Sequence, residues 1–127
     1  MRAAASRSWG VLVAMAAATA HAMAGSAPPA GRYEARLCVA TAQADPECGA
    51  ARVELRRAGQ AHIRVSDLLY SLTLHSSQAD VVLKHGAMQI DGFTATYEWR
   101  GMALHFVDAA KGVRYEVQLG PRQRGRP

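Results

Sequence analysis

The chain has 127 residues, half of them apolar, and carries 15 Lys+Arg against 10 Asp+Glu for a formal charge of +5. The basic excess sits at the two ends, in Arg2 and Arg7 and in Arg122, Arg124 and Arg126, while Gly31 to Gly120 holds ten basic and ten acidic residues. A formally neutral body has no net basic stripe with which to displace counterions, so the balance argues against a nucleic-acid binder and leaves room for one small domain.

Met1–Ser8 contains two arginines and no acid, and Trp9–Ala20 follows without a charge. Such an apolar stretch, at ~1.5 Å rise per residue, falls short of a ~30 Å hydrocarbon core. With the small residues of Ala20-His21-Ala22 and Ala22-Met23-Ala24 behind it, the segment reads as a signal-peptide helix over residues 1–24, cleaved after Ala24 or Ala22. The expectation is therefore a periplasmic or secreted protein with no membrane span after cleavage. Arg7 is followed by Ser8 and the first cysteine is Cys38, so neither twin-arginine export nor a lipid anchor is indicated.

Residues 25–31 form a short linker containing Pro28 and Pro29. From Arg32 the apolar positions alternate with a period of two: Tyr33/Ala35/Leu37/Val39, Val53/Leu55, Ile63/Val65 and Tyr70/Leu72/Leu74, then Phe93/Ala95/Tyr97/Trp99, Leu104/Phe106 and Val113/Tyr115/Val117/Leu119. This is the signature of half-buried antiparallel strands. Val81–Met88 is the most ambiguous stretch, and Ile90 joins the core candidates. Ala58-Gly59, His85-Gly86, Arg100-Gly101 and Lys111-Gly112 read as turns, and Asp91-Gly92 gives the strongest hairpin signal. Short spacings force strands to pair with their sequence neighbours. The fold expected over residues 32–120 is all-β, an antiparallel meander of about eight strands closing into a barrel or barrel-like sandwich. Residues 121–127, rich in Arg, Gly and Pro, read as a disordered basic tail.

An exported chain with two cysteines usually pairs them, so Cys38 and Cys48 are expected to form a disulfide, with Asp45-Pro46 turning the loop between them. Their spacing is not that of thiol oxidoreductases or of zinc ligands. His62, His75, His85 and His105 lie in separate strands or turns, and Gly-x-Ser-x-Gly and Ser-x-x-Lys are both absent. Neither a metal nor another cofactor is indicated, and nothing points to an enzyme. The large rings Phe93, Tyr97, Trp99 and Phe106 either form the heart of the core or line an apolar ligand pocket.

These readings lead to an exported, non-enzymatic binding module of the bacterial cell envelope that contacts a protein or envelope component. The alternatives are a barrel carrying a small apolar ligand among the four rings and, last, a small hydrolase. Arg122, Arg124 and Arg126 add an expected weak contact with anionic surfaces. The layout of signal peptide, small β-domain and single disulfide resembles that of bacterial periplasmic lysozyme inhibitors. The Ser-Gly loop followed by a Tyr that marks those inhibitors is not legible, so the resemblance extends to architecture alone.

Overall fold

The computed structural model describes residues 25–124, so the expected signal peptide and residues 125–127 of the tail lie outside the described part. Eight strands run in chain order: β1 (Gly31–Thr41), β2 (Ala44–Arg56), β3 (Gln60–Val65), β4 (Leu68–Leu74), β5 (Gln78–His85), β6 (Met88–Arg100), β7 (Ala103–Asp108) and β8 (Val113–Arg122). Each pairs antiparallel with the next, and β8 returns to β1, which closes the sheet into a barrel. Closure decides between the barrel and the sandwich, and it leaves no sheet edge along the paired stretches. The stretch Val81–Met88 is resolved as the end of β5 and the turn into β6.

Alternation sets which side chains enter the bore. One inward row runs Trp99, Leu104, Val117, Leu37 across β6, β7, β8 and β1, and the next runs Tyr97, Phe106, Tyr115, Val39. Ile63, Leu72, Val81, Leu104, Phe106 and Val117 are all fully buried. Burying each such side chain stabilises the fold by about 1.5–3 kcal/mol. The outward rows carry arginine, glutamate, histidine and threonine. An apolar bore inside a charged exterior reverses the polarity of a lipid-embedded barrel. Among the described residues no helix is long and apolar enough to cross a membrane.

Four local expectations are corrected. Asp91-Gly92 is not a turn: it lies inside β6, the chain reverses at Gly86-Ala87, and the Asp91 carboxylate accepts the Gly92 N–H at 2.8 Å. The pairing of β5 with β6 shifts register between Leu83 and Lys84, which leaves Ile90 as the extra residue. A bulged residue leaves the alternation, and Ile90 is accordingly 49% exposed and not in the core. Asp45-Pro46 also lies within a strand, since the turn falls at Ala42-Gln43. Proline is tolerated there because β3 pairs only with Arg52–Arg56 of β2, so Pro46 has no ladder on that side. Finally, β8 runs on through Pro121 to Arg122, opposite Tyr33, and the Gln123 N–H donates to the Arg32 carbonyl at 2.7 Å. The tail therefore leaves the sheet later than its composition suggests.

The β2–β3 turn has a tight steric requirement set by backbone. Ala58 and Gly59 both take left-handed φ, 64° and 73°. A Cβ on Gly59 would sit 2.7 Å from the Leu74 carbonyl oxygen, while the Gly59 carbonyl accepts the Leu74 N–H at 2.6 Å. Gly59→Ala therefore combines backbone strain with a backbone clash, and a loss of about 1–3 kcal/mol is expected. Urea unfolding should show it as a lower midpoint at unchanged slope.

Candidate functional site

The four rings singled out in the sequence are placed by the barrel as follows. Phe106 and Trp99 are buried in the core cluster, and Phe93 and Tyr97 are half-buried against it. The Tyr97 hydroxyl donates to the His75 carbonyl. Tyr115 is the hub: its ring stacks on Phe106 at 4.5 Å and on Phe93 at 6.0 Å, and meets the edge of Tyr70 at 5.7 Å. These contacts use the rings as filling.

Polar groups gather around the β7–β8 turn. Lys111 pairs with Asp91 at 2.5 Å, which raises the lysine and lowers the carboxyl from their ordinary values. Asp108, 2% exposed, accepts the Lys111 N–H at 3.4 Å through Oδ1, while its buried Oδ2 has no partner among the described residues. Burial above all, then Tyr70, Asp108 and Asp91, pushes the Tyr115 hydroxyl up to about 12.

The histidines are dispersed. His75 contacts Asp80 at 3.0 Å, His85 contacts Asp67 at 2.8 Å, and His105 lies 3.8 Å from Glu116. Among the described residues no three metal-ligating side chains converge.

The prominent depressions open on the outside. The first is a groove of about 550 Å³ across the outward side of β6, β7, β8 and β1. Cross-strand register explains its lining. Glu98, His105, Glu116 and Cys38 form one outward row, and Thr96, Val107, Arg114 and Ala40 form the next. Pro46 of the β1–β2 hairpin adds a wall. That wall is anchored by the disulfide: Cys38 and Cys48 face each other directly across β1 and β2 and are joined. Anchoring matters because Ala44–Ala50 are exposed and pair on one side only, and an isolated two-stranded ribbon is marginal in water.

A second depression, of about 320 Å³, lies around the barrel on the outward side of β1, β2 and β3. It is lined by Arg32, Arg52, Arg64 and His62 together with Glu54, which stands between Arg32 and His62 in the register, and Gln123. Of the four rings named from the sequence Tyr97 alone lines the groove, and the rest of both depressions was missed, because each depends on which rows lie side by side. The signal for the second was present in the turn: reversal around Ala58-Gly59 places Arg52 opposite Arg64. The net neutrality of the body concealed this local excess of positive charge.

Fold and surface define a small closed antiparallel barrel with a filled bore and outward-facing recesses. The chain matches no protein-family model, no curated protein and no solved structure.

Alkali should test the ring cluster. A tyrosine raised from 10.0 to about 12 favours the folded state while it is protonated. Its contribution is complete below about pH 10 and is lost as the pH rises through about 12. The urea midpoint should fall across that window, and Tyr115→Phe should shallow the fall while changing little at neutral pH.

Proposed function

We propose that the protein is an exported, non-enzymatic binding module of the cell envelope that contacts a partner protein through the outward groove of β6, β7, β8 and β1. The observation carrying this reading is the groove itself, whose hairpin wall is held by the Cys38–Cys48 bond. A filled bore moves recognition to the exterior and weighs against the carrier alternative. The groove suits a polypeptide: Pro46 and Val107 supply apolar contact, while Glu98, Arg100, Arg114 and Glu116 supply both signs of charge. A disulfide fits a periplasmic or extracellular site of action, where such bonds persist.

Removing the disulfide separates wall from barrel. A Cys38→Ser/Cys48→Ser variant should lose about 2–3 kcal/mol of stability, the chain-entropy value for so short a loop. It should lose partner capture to a greater degree than that loss of folded protein explains. The direct check is cross-linking of the processed chain in envelope preparations, followed by mass spectrometry. Adducts formed by the native chain should vanish with Val107→Glu and Thr96→Arg, which fill and recharge the groove floor, and persist with Arg57→Gln in the β2–β3 turn. Adducts indifferent to the groove substitutions would refute the assignment.

A further inference from the structure

Around the barrel from the groove, two arginines occupy an arrangement that a sheet ordinarily avoids. Arg52 and Arg64 are direct cross-strand partners on the outward face of β2 and β3. Like charges placed so are mutually repulsive. Among the described residues neither makes an ion pair, although acids stand nearby. Glu34, opposite Arg52 on β1, accepts from the Gln123 side-chain amide, and Glu54 is paired with Arg56 at 3.4 Å. Neither carboxylate closes an ion pair on Arg52 or Arg64 among the described residues, although Glu34 keeps its charge beside Arg52.

Further cations surround the pair. Arg32 lines the same 320 Å³ depression, and a neighbouring one of about 460 Å³ is again lined by Arg52 and Arg64. The outward row continues Glu34, Arg52, Arg64, Leu69, Lys84 across five strands. Burial, followed by the Arg56 guanidinium, holds His62 below its ordinary value, with Arg64 and Lys84 adding to Arg56 and Glu54 opposing it. The C-terminal segment starts here as well, since Gln123 lines the depression and Arg124 follows it.

We infer that the outward face of β1, β2 and β3 is a binding site for a phosphate-bearing group, held between Arg52 and Arg64 with Arg32 at its edge. Guanidinium groups bind phosphate through paired N–H donors, and a shared anion converts the repulsion between facing arginines into attraction. Phosphate on a lipid headgroup and phosphate on a soluble compound present the same chemistry. This site is separate from the groove and does not depend on the groove's function.

The test uses the processed chain, including its tail, and two probes. Calorimetric titration with inorganic phosphate, at fixed ionic strength in chloride, reads the soluble source. Co-sedimentation with phosphatidylglycerol vesicles, against phosphatidylcholine vesicles, reads the headgroup. Saturable binding of at least one probe is expected, weakened about tenfold by Arg52→Gln or Arg64→Gln and unaltered by Lys111→Gln in the β7–β8 turn, which lines neither depression. Binding of phosphate in solution without vesicle preference assigns a soluble ligand, and vesicle binding that requires both arginines assigns the headgroup. Both variants remove repulsion at exposed positions, so their unfolding midpoints should match or exceed that of the native chain. Failure of both probes to bind, or binding indifferent to Arg52→Gln and Arg64→Gln, would overturn the inference.

Discussion

Everything in this molecule depends on β1 having two partners. It pairs with β2 along nearly its whole length and with β8 from Tyr33 to Thr41, and the second pairing turns a meander into a barrel. Without it the inward rows would be cut: Leu37 would lose Val117 and Val39 would lose Tyr115. Closure is reinforced at both ends of the strand. Near its start the Gln123 N–H bonds the Arg32 carbonyl, and towards its end Cys38 is joined to Cys48. A β-meander relies on short-range turns for its hairpins, but its first-to-last pairing closes the longest loop in the chain. The β1–β8 seam is therefore the entropically costly contact, and the buried rows crossing it are what offset that cost.

The same closure divides labour between the two sides of the sheet. Inside, Tyr115 gathers Phe106, Phe93 and Tyr70 into a stack that leaves little for a ligand to occupy. Outside, short polar and charged residues leave relief, and relief is where a partner can sit. The β1–β2 hairpin extends past its contact with β3, which exposes one edge of Ala44–Ala50. That edge carries Asp45, Pro46 and Glu47, a proline without an N–H between two charges. These residues discourage another strand from adding there. The hairpin can thus serve as a wall without becoming a site of aggregation.

Much of the fold was legible because two signals agreed. Alternation at Tyr33–Val39 and Phe93–Trp99 identified inward faces, and left-handed glycines such as Gly86, Gly101 and Gly112 stand at the expected turns. Legibility failed where one signal stood alone. Asp91-Gly92 has hairpin chemistry, but its aspartate is held by Lys111, twenty residues away, so tertiary pairing overrode local preference. Ile90 reads as core by alternation, but a bulge is an insertion of one residue and reverses the faces beyond it. The rings were identified as a group, whereas Tyr115, their geometric centre, sat in the core list without being recognised as a hub. Neither surface recess could be seen from composition, because a recess is a property of adjacent rows and not of any one strand.

Those rows also show how a neutral protein acquires sides. In the groove, His105 lies between Glu98 and Glu116, and Arg100 is paired with Glu98, so charge is balanced locally. On β2 and β3 the corresponding positions set Arg52 against Arg64, and the acids within reach are committed to Gln123 and Arg56. Exchanging either arginine for a neutral residue would cost the core nothing, since both side chains point away from it. A fold selected for stability alone has no use for this pair, whose repulsion Glu34 offsets from the Arg52 side alone. The pair acquires a physical rationale when a third, negative group completes it. That is why the unbalanced row, more than the balanced one, marks where this barrel meets something charged.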